Sequence, residues 1–283
     1  MPPLLKIRSE RDQMSAIERR IADFLLENAH LLRDYSSQQL ADALNISQSS
    51  VVKFSQKLGF KGYPDLKYSV GEAIARGGSD GAPPRAAHAR KRDVPTVLAE
   101  ELWRSKARAE EETRLINPPE RIQEIAAVID KAAKVFVIGC GEDDLHARAF
   151  STRLALLGIV SMHQLDPLLM AANVEAAQSR DVLLVFSEHG KQAALNQVSR
   201  QFRERGVKVI SITRNTANPL RAHAQLSLLV SAHDERSHVE PLLYQSALQH
   251  LLDLIYVQLC EQGTEHLERL HANVERMERL RSD

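Results

Sequence analysis

The sequence predicts an all-helical N-terminal unit followed by an α/β domain built on a five-stranded parallel sheet. Three observations predict it. Residues 36–67, SSQQLADALNISQSSVVKFSQKLGFKGYPDLK, place two short amphipathic segments on either side of a tight turn, a helix-turn-helix pattern. From residue 134 onward, five short apolar runs alternate with helical stretches. Between these regions, residues 77–95 are rich in Gly, Pro and Ala and cannot bury a core, so they read as a flexible linker.

The chain of 283 residues suits two domains. We divide it into a helix-turn-helix unit (1–76), the linker (77–95), an α/β domain with leading helices (96–262) and a C-terminal amphipathic helix (263–283). The 37 basic residues balance the 37 acidic ones, so net charge argues neither for nor against a nucleic-acid partner. Cys140 and Cys260 are far apart and form no zinc or redox spacing, which fits a reducing compartment. The opening residues, MPPLLKIRSERDQ, contain no apolar run of signal-peptide length. No stretch approaches the roughly 18 apolar residues of a membrane span. The expectation is a soluble cytoplasmic protein with no membrane partner, metal or cofactor.

Taken in order, residues 1–35 read as helix, with Ile17, Ile21, Phe24 and Leu25 at helical spacing and Ser15 with Glu18 forming a capping box. Ser36 or Ser37 caps the next helix, which carries Leu40, Ala41 and Leu44. Asn45 tolerates the left-handed conformation needed to leave that helix. Ser47 then caps a second helix with Val51, Phe54 and Leu58 on its apolar side, and Gly59 stops it. Its other side is Gln48, Ser49, Ser50, Lys53, Gln56 and Lys57. From residue 46 to residue 67 the single acid, Asp65, faces Lys53, Lys57, Lys61 and Lys67. A recognition helix needs such a surface, with short polar side chains near its N-terminus for base edges and lysines for phosphates. The candidate DNA contacts are Ser36, Ser47, Gln48, Ser49, Ser50, Lys53, Lys57 and Lys61.

These residues resemble the RpiR family of bacterial transcriptional regulators, which join an N-terminal helix-turn-helix to a C-terminal sugar-isomerase (SIS) domain. The resemblance rests on IADFLLEN (21–28), on residues 40–67, and on the segment from Val135 to about Gln262. The family's recognition helix reads Ser-x-x-Thr-hydrophobic-x-Arg-Phe and then Leu-Gly-Phe. Here that becomes Ser47, Ser50, Val51, Lys53 and Phe54, then Leu58-Gly59-Phe60. Lys in place of Arg gives up a bidentate guanine contact. The wording Ser-Gln-Ser-Ser-Val-Val-Lys-Phe is similar to that of the family's regulators of N-acetylmuramic acid 6-phosphate use.

Further along, a helix begins at Pro64 and runs to Arg76, and a charged helix spans 96–116 with Leu98, Leu102 and Trp103. Asn117-Pro118-Pro119 breaks it, and residues 120–133 form another. Strands are predicted at 134–139, 159–163, 181–186, 207–213 and 226–231, with intervening helices ending near 157, 178 and 205, and a long helix from 240 to 260. In 266–281, Leu267, Leu270, Val274 and Met277 recur at spacings of three and four, as in a short coiled-coil stripe that either joins protomers or packs on its own domain.

Parallel sheets bind ligands beyond the carboxyl ends of their strands, which selects the loops 139–144, 187–192 and 213–219. The resemblance implies Gly-x-Gly-x-Ser in the first of these loops and Ser-x-Ser-Gly-x-Thr in the second, holding a sugar phosphate with hydroxyls and helix N-termini. This chain keeps Gly139, Gly141, Ser187 and Gly190 but puts Asp143, His189 and Gln192 where hydroxyls are expected. With Glu142 and Lys191 added, these are the candidate effector-binding residues. Glu142, Asp143 and Asp144 in a row would repel a phosphate dianion that they face. Three readings stay open: an altered phosphosugar site, a site for an unphosphorylated or cationic molecule, or a vestigial pocket in which Asp143 caps the following helix. Arg236, Ser237 and His238 are further candidates, reaching in similar folds into a partner's pocket.

The function read from the sequence is a transcriptional regulator of a carbohydrate-related operon. It would act as a homodimer or homotetramer on double-stranded DNA, with a sugar or sugar phosphate as effector and no catalytic residues. The rival is a sugar-phosphate isomerase or lyase with an accessory helix-turn-helix, using acid and base groups from Glu142, Asp143, Glu188, His189, Glu235 and His238.

Overall fold

A computed structural model describes residues 3–29, 32, 35–77 and 94–282. The chain divides into two compact units, residues 1–97 and 98–283.

The first unit is helical among its described residues: α1 Pro3–Glu10, α2 Ala16–Glu27, α3 Ser37–Ala43, α4 Gln48–Lys57 and α5 Tyr63–Gly77. The single helix expected over residues 1–35 is instead two. A 3-10 turn at Arg11–Gln13 and an extended Met14 (ψ 145°) break it, because Ser15 takes the N-cap of α2 and closes the capping box with Glu18. Ser36 caps α3, with Gln39 completing a second box. Asn45 exits at φ 50°, and Gly59 at φ 81° ends α4. Ile21, Leu25, Leu40, Val51, Phe54, Leu58, Leu66 and Val70 meet in one core, so α4 is held by its apolar side and shows its polar side to solvent. The linker with its basic run from Arg85 to Arg92 falls largely outside the described residues. Val94 and Pro95, read as linker, already belong to the next helix.

The second unit contains α6 Val94–Ile116 (from residue 98), α7 Pro119–Asp130, β1 Val135–Ile138, α8 Glu142–Leu156, β2 Ser161–Gln164, α9 Pro167–Ala171, β3 Val182–Phe186, α10 Ala193–Glu204, β4 Lys208–Arg214, β5 Leu226–Val230, α11 Glu240–Glu261 and α12 Thr264–Ser282. All strand pairings are parallel, in the order β2-β1-β3-β4-β5. Alternate residues go to opposite faces. Val135, Val137, Leu184 and Ile210 pack under α7, α8 and α11, whereas Phe136, Ile138, Leu183 and Val209 pack under α9 and α10. The helix expected to reach residue 178 stops at Ala171 and gives way to turns.

Asn117, read as a helix breaker, also seals an edge. Its side chain donates to the Leu229 carbonyl (2.6 Å) and accepts from the Leu229 N–H (3.0 Å), pairing the open side of β5 as a neighbouring strand would. The apolar stripe of α12 is split. Leu270 packs on the domain core, while Leu267, Val274 and Met277 are exposed. His266, buried, bridges the Leu157 carbonyl and Asp130 at 3.1 and 2.6 Å, which ties this helix to its own domain.

Candidate functional site

In the first unit, the candidate DNA contacts lie along α4 and just beyond its end, except Ser36 at the start of α3. Ser47 is the N-cap, accepting from the Ser50 N–H at 3.3 Å, and its hydroxyl lies 2.9 and 2.8 Å from those of Ser49 and Ser50. Gln48 donates to the Ser37 hydroxyl (2.8 Å), tying the two helices across their turn. Ser36, Ser47, Gln48, Ser49, Lys53, Lys57 and Lys61 are exposed and Ser50 is half-buried. The first turn of α4 carries no acid. Two further side chains are also engaged. Ser36 caps α3, and Lys57 forms a salt bridge with Glu18 at 2.9 Å, which holds the Glu18 carboxyl below its usual range. Arg20, which the sequence reading passed over, braces the turn by donating to the Leu44 carbonyl.

In the second unit, the loops after β1 and β3 form the walls of one cavity of about 360 Å³. These adjacent strands are where the chain turns to opposite sides of the sheet, the expected ligand position in such a fold. Glu142, Asp143, Ser187, His189, Lys191 and Gln192 all line it. The glycines do other work. At Gly139 a Cβ would sit 2.8 Å from the Asp143 backbone, and at Gly190 (φ 60°) it would sit 2.1 Å from Asn218 Oδ1. Gly141 (φ 64°) is the N-cap of α8. Of the third loop, Asn218 supports Gly190 and does not line the cavity. Arg236 is held by Asp234 (2.8 Å), and Arg236, Ser237 and His238 lie outside the cavity lining.

The three acids of α8 diverge. Asp144 pairs with His163 at 2.7 Å on β2. Glu142 accepts from the Gln245 amide at 2.5 Å. Asp143 turns inward, accepting the Glu188 N–H at 2.7 Å and the Tyr244 hydroxyl at 3.2 Å. It is therefore not the cap of its own helix: α8 has no side-chain cap, and the carboxylate serves the loop after β3. Burial raises the Asp143 carboxyl to about 6, against the opposing pull of those two hydrogen bonds. Burial, reinforced by Asp143 and Glu188, lifts the Tyr244 hydroxyl well above its usual range. Burial lowers the His146 imidazole and, with Asp144 nearby, raises the Cys140 thiol. Glu188 meets Arg214 at 2.7 Å, and that guanidinium sits 6.0 Å above the Tyr244 ring.

Cys140, His146, Glu188, Tyr244 and Gln245 also line the cavity but were not among the candidate effector-binding residues, Glu188 having been read only as an acid or base of the rival and His146 only as a weak metal ligand. Cys140 stands between the two glycines of the first loop, and His146 follows Glu142 by one helical turn, so local spacing held a signal for both. Tyr244 and Gln245 come from α11, about a hundred residues away, and no local pattern announces them. Among the described residues, no cluster of three His, Cys, Asp or Glu side chains could hold a metal ion, and no helix is long and apolar enough to cross a membrane.

Comparison with known proteins gives this architecture a family. Residues 1–77 match the helix-turn-helix domain of the rpiR family, and residues 128–255 match the SIS domain. The uncharacterized HTH-type transcriptional regulator YfhH of Escherichia coli K12 is 31% identical over 265 residues, 94% of each chain. The chain belongs to the RpiR family of transcriptional regulators. This RpiR-family regulator also shares its fold with solved structures. The Vibrio vulnificus NanR protein complexed with ManNAc-6P matches over 98% of both chains, with a TM-score of 0.61 at 19% identity. The sugar isomerase domain of an RpiR transcription factor from Sphaerobacter thermophilus matches 64% of this chain and 98% of its own, with a TM-score of 0.58 at 18% identity. The regulator thus joins a DNA-binding helix-turn-helix unit to an SIS domain whose cavity lies beyond β1 and β3.

Proposed function

We propose that this regulator binds its operator through α4 and changes its grip when a sugar or sugar phosphate enters the SIS cavity. The observation that carries the reading is the outer side of α4, with exposed Ser47, Gln48, Ser49 and Lys53 and no acid in its first turn. Gln48 and Ser49 reach base edges in the major groove. Ser50 supports them, and Lys53, Lys57 and Lys61 meet phosphates. Ser36 acts indirectly, by starting α3 where α4 can be braced against it. The acting species is a homodimer or homotetramer in the cytoplasm, reading half-sites spaced by whole helical turns. The NanR complex with ManNAc-6P supports an effector of the sugar class in the same fold.

The SIS domain acts here as a sensor and not as an enzyme. Glu188 is tied to Arg214, and Asp143 to Tyr244 and the Glu188 amide, so both acids are engaged in holding the cavity walls together. The test is fluorescence anisotropy on the protein's own upstream DNA, across a salt series, with and without a panel of sugars and their phosphates. The expected result is specific, salt-dependent binding that one sugar class shifts. Absence of specific binding at low salt would overturn the reading.

A further inference from the structure

The cavity has an unusual electrical character for its architecture. Two helices, α8 and α10, begin at its walls. Free N–H groups and the helix dipole make such ends natural anion sites. Here the chain provides the anions itself. Glu142 and Asp143 occupy the first turn of α8, and Asp143 also takes the Glu188 N–H in the loop that leads to α10. A ligand entering the cavity therefore meets two carboxylates beside the start of α8 and finds the Glu188 N–H already taken.

The remaining lining points the same way. Glu188 carries its own counter-ion, Arg214, and Asp144 is turned away to His163. The imidazole of His146 is held toward its neutral form by burial. Lys191, on the exposed loop, is the one lysine or arginine among the lining residues. A phosphate dianion would bring two charges against Glu142 and Asp143 with Lys191 as its main support. An ammonium group would find both carboxylates within the same small volume. The amides of Gln192 and Gln245, the Ser187 hydroxyl and the two imidazoles then suit hydroxyl groups. A cavity of about 360 Å³ is of a size to hold one monosaccharide ring.

We infer that the ligand of this cavity is an unphosphorylated polyhydroxyl compound bearing a primary amine, an amino sugar in chemical class, with Glu142 and Asp143 receiving the ammonium. The inference rests on the cavity being the sensor site proposed above and narrows what it senses.

The test is isothermal titration calorimetry on the full chain. The probes are glucosamine, mannosamine and galactosamine, each beside its parent hexose and its 6-phosphate. The expected result is that one amino sugar binds about tenfold or more tightly than both of its counterparts, the scale of one partly desolvated charge pair. Glu142→Gln, at an exposed position, should bring that amino sugar to parity with its parent hexose. Asp143→Ser, which removes the carboxylate and supplies a hydroxyl, should shift preference toward the 6-phosphate. Tighter binding of a 6-phosphate by the natural chain would overturn the inference, as would equal binding of amine and hexose, or no binding of any amino sugar. Operator binding measured without sugar separates the two ideas. If the chain holds its operator but prefers a phosphate, only this inference falls; if it holds no operator, the regulator reading falls.

Discussion

Two helix starts in this molecule are built from opposite materials. The first turn of α4 has a serine cap, short polar side chains and no acid. The first turn of α8 has a glycine N-cap at φ 64°, no side-chain cap, and Glu142, Asp143 and Asp144 in succession. Both ends expose backbone N–H groups with a positive dipole. In α4 that potential, together with Lys53, is left for an external polyanion. In α8 it is opposed from within by Glu142 and Asp143, two carboxylates that line the cavity, although no side chain caps the helix. The same local feature thus serves DNA in one unit and opposes a phosphate in the other, and the neighbouring side chains decide which.

The largest effect that would break this comparison comes from removing the support of α4. Phe54 is 1% exposed, in the core that holds the helix with its polar side outward. Phe54→Ala should cost the N-terminal unit about 3–5 kcal/mol and abolish operator binding. Thermal melts followed together with sugar titrations check it: one transition falls, while ligand binding by the SIS unit is kept.

Next comes the loop opposite α8. At Gly190, φ of 60° and the contact with Asn218 leave no room for a side chain. Gly190→Ala should cost about 1–3 kcal/mol and disturb the amide that holds Asp143, which chemical denaturation and loss of ligand binding would reveal.

Local and long-range features differed in how well the sequence disclosed them. Ser15, Ser36, Asn45, Ser47 and Gly59 act within three or four residues of themselves, and each was legible because a cap needs a particular side chain or a particular φ. Four strands were legible because apolar runs of four to seven residues between helices have few other uses, whereas β2, Ser161–Gln164, lies past the apolar Ile159 and Val160 that suggested it. The role of Asp143 was not. Its identity was plain, but its direction depends on Tyr244, 101 residues away, and on the N–H of Glu188. The break at Met14 was not drawn, although the Ser15–Glu18 capping box that marks it was read, because residues 1–35 were taken as one helix.

The third prediction concerns pH. With its carboxyl raised to about 6 from an ordinary 3.8, folded Asp143 retains a proton that the unfolded chain has already released. Stability therefore falls as pH rises through about 4 to 6 and carries the full penalty above it. Screening through the open cavity limits this to about 1–2 kcal/mol. Asp143→Asn should flatten that part of the stability profile in melts taken between pH 4 and 8, and it should raise stability at neutral pH. If the natural chain and the variant ran parallel, Asp143 would not be a desolvated acid.

Smaller again is the contribution of one phosphate contact. Lys53→Ala should weaken binding to all DNA sequences alike and lower the salt slope by about one. Gln48→Ala should instead change which sequence is preferred. Salt-dependent anisotropy on operator and scrambled DNA separates the two. An equal loss of sequence preference in both variants would place Lys53 at a base edge.

The smallest effect sharpens the comparison most, because it alters the charge around α4 without touching that helix. Glu18 is both the capping-box partner of Ser15 and the counter-ion of Lys57. Glu18→Gln keeps a side chain that can accept from the Ser15 N–H, so the cap survives, but it releases the lysine. Lys57 is exposed and Glu18 only half-buried, so stability should fall by only about 0.5 kcal/mol. If α4 is an external-anion helix, the freed Lys57 adds a cation beside it, and DNA affinity should rise by about two- to threefold at low salt, fading as salt screens it. A fall in DNA affinity with the fold intact would mean that Lys57 works as a strut, fixing α4 to α2. The phosphate contacts of α4 would then rest on Lys53 and Lys61.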